Sequence, residues 1–481
     1  MTLATMARLA GPVVLVAFLW LPVPQGLAQP AWYMLGVTAW MAIWWISEAV
    51  PIPATALLPI VLFPLLGILP AAEATQAYAN HLIYLFMGGF MIAVAMERWQ
   101  LHRRLALHII RAVGTSPARL VLGFMLATAL LSMWISNTAT AMLMVTIGLA
   151  VLRQLLPDDG HMTSPLGTAL MLGIAYAASI GGVATLIGTP PNAVLAAVLD
   201  RNYGIDLQFG TWMRFALPLS LLMLVLAWLY LTRLAFPLRD VKCRESAQQI
   251  HDEIQRLGRP SAAEKRVATV FGAVALLWIF RGLIDWQPFV AVKDSTIAIA
   301  GALLLFVLPA GDDRGSRLLD WQTAVRIPWD IIILFGGGLS LAAGFSETGL
   351  TTWLAEQLRI LQGAPLPLLI LGTGVLVIFL TEVTSNTATA SLMLPVVGAL
   401  AQGLGVSPLL LMVTATLCAS FAFMLPVATP PNAIVFGSRC VHMAQMARAG
   451  LWLNLLGVLL ISLFVYLWGV VFPQSMQLFN L

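Results

Sequence analysis

The string Ser-Asn-Thr-Ala-Thr occurs twice, at Ser136–Thr140 and Ser385–Thr389, each time inside strongly apolar sequence. Short neutral hydroxyls and amides in such a setting make hydrogen bonds and offer oxygens to a hard, weakly charged cation such as sodium. A second polar element follows each copy: Gly188-Thr189-Pro190-Pro191-Asn192 and Ala428-Thr429-Pro430-Pro431-Asn432. Proline removes a donor and blocks the helical bond, so a break there frees carbonyls on the incoming half-helix and N–H groups on the outgoing one. A helix that restarts at Ser-Asn-Thr likewise presents unpaired N–H groups and a positive dipole end to an anion. One tip and one break from each copy would give two similar cation sites with an anion between them.

The copies are in register. Ser136 and Ser385 are 249 positions apart (136 to 385), and the same offset carries Leu85-Phe86 and Gly88-Gly89 onto Leu334-Phe335 and Gly337-Gly338. It also carries Leu105-Ala106 onto Leu354-Ala355, so the chain contains an internal repeat. Neither tip and neither break contains Arg or Lys. An anion held there must be offset by helix ends and co-bound cations, which favours coupled co-transport over a simple anion pore. Glu382 precedes the second string, where its repeat counterpart is Met133. It reads either as a proton or cation ligand or as a scaffolding or gating residue.

These elements need a frame, and composition supplies it. Of 481 residues, 60% are hydrophobic and 10% charged, with a mean hydropathy of +0.91, the profile of an all-α polytopic membrane protein. Apolar segments near 9–28, 31–47, 54–70, 82–97, 167–187, 212–236, 267–283, 296–309, 330–346, 408–427 and 451–472 predict about 11 transmembrane helices. Residues 9–28 are read as a retained span rather than a cleaved leader. The stretches 118–152 and 366–401 carry the polar strings at their middles, which suits two re-entrant helical hairpins better than straight spans. The first repeat half is then 1–236, with its hairpin and a broken helix at 167–202. A polar cytoplasmic linker covers 237–266, and the second half is 267–481, with its hairpin and a broken helix at 408–446.

Charge supports this path. Arg98, Arg103, Arg104, Arg111 and Arg119, the linker cations from Arg239 to Arg266, and Arg314, Arg317, Arg326, Arg439 and Arg448 fall on one side when the N-terminus is inside. The opposite loops contain little beyond Arg201, Lys293 and Arg359, as the positive-inside rule requires only if both hairpins return to their own side. The repeats are then inverted in the membrane, with the N-terminus cytoplasmic and the C-terminus outside. Residues 98–112 and 349–361 read as interfacial amphipathic helices. Gly336, Ser340 and Gly344 at four-residue spacing permit a close helix contact, within one protomer or between two.

Other classes lack their signatures. There is no His-Glu-x-x-His or Gly-x-Ser-x-Gly, the six histidines are scattered, and no soluble signalling domain fits, so an enzyme or a receptor is not expected. Cys243, Cys418 and Cys440 show no metal or redox spacing. The net charge of +4 is a topology signal, not a nucleic-acid footprint. The lack of an Asn-x-Ser/Thr sequon and the compact loops favour a bacterial inner membrane.

The paired Ser-Asn-Thr and Thr-Pro-Pro-Asn motifs resemble the signature of the divalent anion/sodium symporter (DASS) family. The segment from Trp44 to Pro53, leading into Ala56-Leu57-Leu58-Pro59, is similar to its early region. The resemblance covers nearly the whole chain. It implies a homodimer, elevator-type movement, and sodium-driven import of dicarboxylates such as succinate, malate or fumarate. Other branches carry citrate or sulfate, or act as exchangers. Carried over to this sequence, it implies a first sodium site at Ser132, Ser136, Asn137 and the Gly188 backbone. A second would use Thr381, Ser385, Asn386 and the Ala428 backbone. Substrate would meet Asn137, Thr138, Asn386 and Thr387, with Thr189, Pro190, Thr429 and Pro430 lining the pocket. No other cofactor is implied.

Overall fold

The structure is a computed structural model that describes residues 3–114, 116–155, 164–238, 246–284, 291–313 and 315–471. Arg239, Lys242, Cys243, Arg244 and Arg314 lie outside the described residues, as does the C-terminal end. Among the described residues every regular element is helical. The first half begins with α1 (Leu3–Trp20), α2 (Gln29–Ser47), α3 (Ile52–Thr55), α4 (Leu58–Leu65), α5 (Ala71–Gln76), α6 (His81–Arg98) and α7 (Leu101–Val113). Two hairpin arms follow, α8 (Pro117–Ser132) and α9 (Asn137–Leu155), then the broken pair α10 (Pro165–Gly182) and α11 (Pro190–Tyr203), and α12 (Phe209–Leu229). The linker holds α13 (Ser246–Leu257).

The second half contains α14 (Ala262–Phe280), α15 (Asp294–Val307), α16 (Trp321–Ala324), α17 (Trp329–Glu347) and α18 (Leu350–Gln357). Its hairpin arms are α19 (Leu366–Leu380) and α20 (Asn386–Leu404). The broken pair is α21 (Pro408–Ala419) and α22 (Pro430–Gly437), and α23 (Met443–Tyr466) closes the order. Pro117, Pro165, Pro190, Pro408 and Pro430 each occupy the first helical position, where a missing N–H costs nothing.

The helices make a multi-pass membrane protein, but they do not map one to one onto the expected spans. Among the described residues seven helices are long and apolar enough to cross a bilayer, or eight if a bent pair is one span. The difference has local causes. Residues 54–70, rich in proline, break into α3 and α4, α15 has only 14 residues, and α21 stops at Ala419. Helix α20 is one of the seven by length, yet its first residue, Asn386, lines an internal cavity together with Asn137. The second broken helix is shorter than 408–446. Arg439 has a left-handed φ of 63°, and α23 restarts at Met443, with the His442 N–H donating to Gln445 Oε1 at 2.9 Å.

The two halves interlace. Helix α11 packs on α20 and α21, and in the reciprocal contacts α22 packs on α9 and α10. Each outgoing half-helix thus lies on the hairpin return arm of the other repeat. Repeat-related glycines also make matching close approaches, Gly88 against Ala298 and Gly337 against the Ala56 backbone. The small-residue stripe on α17 is used within one protomer: Gly336 faces the Tyr78 ring, Ser340 donates to Ala74 O at 3.2 Å, and Gly344 faces Met34 and Phe63.

The basic loops expected on one side are tied together. Arg98 pairs with Asp320 at 2.5 Å, Arg103 with Glu253 at 2.5 Å, and Arg104 with Glu264. Linker helix α13 thereby docks on amphipathic α7. In the second half, α18 and its continuation to Leu361 lie at 117° to α19. On the other loops, Lys293 pairs with Asp206 at 2.6 Å, and buried Arg281 is neutralised by Asp294 at 2.7 Å.

Candidate functional site

Both Ser-Asn-Thr strings stand at the turn between hairpin arms. Ser136 and Ser385 cap the return helices, accepting from Ala139 N and Ala388 N at 3.2 Å in each case. Behind each tip the repeats build the same cluster. Thr381 Oγ1 lies 2.8 Å from both Asn386 Oδ1 and Ala419 O. Ser132 Oγ contacts Asn137 Oδ1 and lies 2.7 Å from Ala178 O.

A hydroxyl has one proton to donate, so each cluster brings together more acceptor oxygens than donors. In the first, the Asn137 amide oxygen faces only acceptors. Turning the amide would place its nitrogen 3.2 Å from both Ala178 O and Gly188 O. Hydroxyl, amide and backbone carbonyl oxygens gathered in this way are hard, neutral ligands of the kind sodium accepts.

The breaks are built alike. The Asn192 amide donates to Val183 O at 3.2 Å and Thr185 O at 2.8 Å, and Asn432 donates to Ala422 O and Leu425 O, both at 3.0 Å. These asparagines are fully buried and hold the non-helical backbone that presents Gly188 and Ala428. Their place in both motifs was visible in the sequence, but their fastening role was not. The Gly188/Ala428 difference is also more than cosmetic: a Cβ at Gly188 would run into the Gly182 carbonyl.

A cavity of about 260 Å³ lies between tips and breaks. Ser136, Asn137, Thr138, Gly188, Thr189 and Pro190 line it from the first half, and Ser385, Asn386, Thr387, Ala428, Thr429 and Pro430 from the second. Ser132 and Thr381 stand behind it, fully buried. Helices α9, α11, α20 and α22 all begin at its wall, so four positive dipole ends converge there. No Lys or Arg lines it, and Asp330 is its single charged residue. Ile52, Pro53, Phe90, Ile187, Ile331, Leu334 and Pro431 complete the wall. Sequence reasoning gave none of them a part in the cavity: Ile52 and Pro53 close the Trp44–Pro53 segment and Leu334 belongs to the repeat match, whereas Phe90 and Ile331 sit in apolar helices with no distinguishing pattern.

Comparison with known proteins decides the family. The family model described as the sodium:sulfate symporter transmembrane region matches residues 3–473. The chain belongs to the sodium:sulfate symporter family. Among curated members of this symporter family, the sodium-dependent dicarboxylate transporter SdcS of Staphylococcus saprophyticus is 44% identical over 465 residues, covering 95% of this chain and 89% of that protein. The protein of the same name from Staphylococcus aureus strain USA300 is 45% identical over the same extents. This symporter also shares its fold with the solved Alcanivorax borkumensis YdaH transporter, at a TM-score of 0.59 and 16% identity over 93% of this chain and 100% of that one. Neisseria gonorrhoeae MtrF matches with a TM-score of 0.58 and 13% identity, over 94% and 97%. At such identities the likeness speaks for architecture alone.

Proposed function

We propose that the protein imports C4-dicarboxylates such as succinate, malate and fumarate by sodium symport, without covalent change to its cargo. One observation carries the reading: four helix N-termini and two repeat-related oxygen clusters surround a cavity without a Lys or Arg. A dianion placed there is offset by helix dipoles and by cations, so it is well held only when the cations are present. Sodium would bind at Ser132, Ser136, Asn137 and the Gly188 carbonyl, and at Thr381, Ser385, Asn386 and the Ala428 carbonyl. Asn137, Thr138, Asn386 and Thr387 would meet the two carboxylates, with Thr189, Pro190, Thr429 and Pro430 completing the cradle. Asparagine serves both cargoes, its oxygen turned to the ion and its N–H to the carboxylate, which ties the two binding events together.

In this reading the repeats are inverted about the membrane midplane, with eleven crossings and two re-entrant hairpins. The N-terminus lies in the cytoplasm of a bacterial cell and the C-terminus outside. The interlaced hairpins and broken helices move as one elevator body within a homodimer. The names of the staphylococcal relatives support the choice of dicarboxylate. Sulfate is the second reading, supported by the family description, and citrate transport or sodium-independent dicarboxylate exchange would use the same site.

Uptake of labelled succinate into proteoliposomes under an inward sodium gradient tests the proposal. A potassium control and unlabelled malate, citrate and sulfate as competitors complete it. Sodium-dependent uptake blocked by malate is expected. Uptake that ignores sodium but needs preloaded dicarboxylate would make the protein an exchanger, and competition by sulfate alone would reverse the substrate assignment.

A further inference from the structure

We infer that Glu382 is the positioning residue of the second cation site, holding the broken-helix backbone in place without touching the ion. The inference rests on the sodium reading above. Glu382 is 4% exposed and follows Thr381 directly in the hairpin turn. Its Oε1 accepts from Phe423 N at 2.7 Å and Met424 N at 2.9 Å, and its Oε2 accepts from Leu425 N at 3.0 Å. The Asn454 amide on α23 donates to Oε1 at 2.7 Å. Three successive backbone N–H groups make a concave anion seat, here filled by a side chain of the same protein. With four donors taken up, the carboxylate serves as an internal clamp on the segment between α21 and α22 rather than as a ligand.

The clamped segment leads straight to the ion. Leu425 donates its N–H to Glu382, and its carbonyl accepts from Asn432 Nδ2 at 3.0 Å and from Ala428 N at 3.2 Å. Ala428 is thus fixed through one residue, on one side by the clamp and on the other by Asn432. Thr381, whose hydroxyl belongs to the same site, is the clamp's chain neighbour. Displacing Glu382 therefore moves ligands on both the tip and the break.

The first half makes the same tie with its polar group on the opposite partner. There Met133 stands in place of Glu382 and Thr185 in place of Leu425. The Thr185 hydroxyl donates to Met133 O at 2.5 Å and accepts from Gly188 N at 3.1 Å. One repeat fastens its tip to its break with a loop hydroxyl, the other with a hairpin carboxylate. The exchange of Met and Thr for Glu and Leu at paired positions is what a shared mechanical task would produce.

The test is the sodium concentration dependence of thermal stabilisation of the purified protein without dicarboxylate, paired with uptake at saturating sodium. Losing charge-assisted bonds in Glu382→Met should raise half-saturating sodium about tenfold, with maximal uptake within about twofold of wild type. Adding Leu425→Thr copies the first half's arrangement and should return the sodium dependence to within about threefold. Glu382→Gln keeps the shape and one acceptor oxygen, and should shift half-saturation about threefold. An unchanged sodium dependence in either single variant, or no recovery in the double variant, would overturn the inference. So would a Glu382→Gln protein that does not fold, which would make the carboxylate a requirement of the fold. Wild-type protein stabilised by sodium but unable to take up dicarboxylate would end the transport reading and leave this one standing. Wild-type protein indifferent to sodium would end this one.

Discussion

Phe86 and Phe335 occupy the same position in the two repeats and meet edge to face, their ring centroids 4.8 Å apart. Helices α6 and α17 thus meet through the same position of each repeat. Truncating either ring to Ala should cost about 3–5 kcal/mol, as for other fully packed phenylalanines. The double variant should show a coupling of about 0.5–1.5 kcal/mol beyond additivity, measurable by chemical denaturation in detergent.

Asn137 and Asn386 hold equivalent places in the two oxygen clusters, so Asn137→Ala and Asn386→Ala should fail alike. Each should weaken sodium-driven succinate uptake at least about tenfold, the scale of losing a hydrogen bond to a charged group. Titrating uptake against sodium distinguishes this from lower expression. Full sodium-driven uptake by Asn386→Ala would remove the site assignment.

The two breaks should respond unequally to a single methyl group. Gly188→Ala forces a Cβ against the Gly182 carbonyl, whereas the second half already carries Ala428. The first change should cost about 1–3 kcal/mol of stability and raise half-saturating sodium, while Ala428→Gly should stay within about 1 kcal/mol. Melting temperatures with and without sodium check both.

A pH effect should arise outside the central cavity. His102, on amphipathic α7, is pushed down from 6.5 to about 4 by burial, opposed by a backbone hydrogen bond at Met96 and reinforced by Arg103. The folded protein therefore keeps His102 neutral while the unfolded chain protonates it. This contribution to stability is complete above about pH 6.5 and is lost as pH falls toward about 4. His102→Gln should flatten the melting temperature over that window without changing sodium-dependent uptake at neutral pH.

How much of this was legible in the sequence varied with the kind of signal. The hairpin turns and helix breaks were readable because proline, serine and asparagine mark helix ends by local chemistry, and duplication at one offset separated them from chance kinks. Span boundaries were less legible: hydropathy records apolar length, so it merged α3 with α4 and ran α21 past Ala419. Phe90 and Ile331 in the cavity wall carried no signal, since an apolar residue facing a cavity looks like one facing lipid. The partners of Glu382 were invisible because three of them are backbone N–H groups, which no side-chain pattern encodes. The stripe at Gly336, Ser340 and Gly344 predicted a close contact correctly, but only tertiary packing could show that its partners are Tyr78, Ala74 and Met34 of the same chain.

The reciprocal packing of α11 on α20 and of α22 on α9 also governs the order in which the protein can be made. When the ribosome has finished α9 and α11, the surfaces they must cover do not yet exist. The first half therefore waits in the bilayer with the faces of α9 and α11 that the second half covers still bare. Early quality control of this protein is then a question of timing: a pause after the linker would lengthen the vulnerable interval, and a first half made alone would be a substrate for membrane proteases.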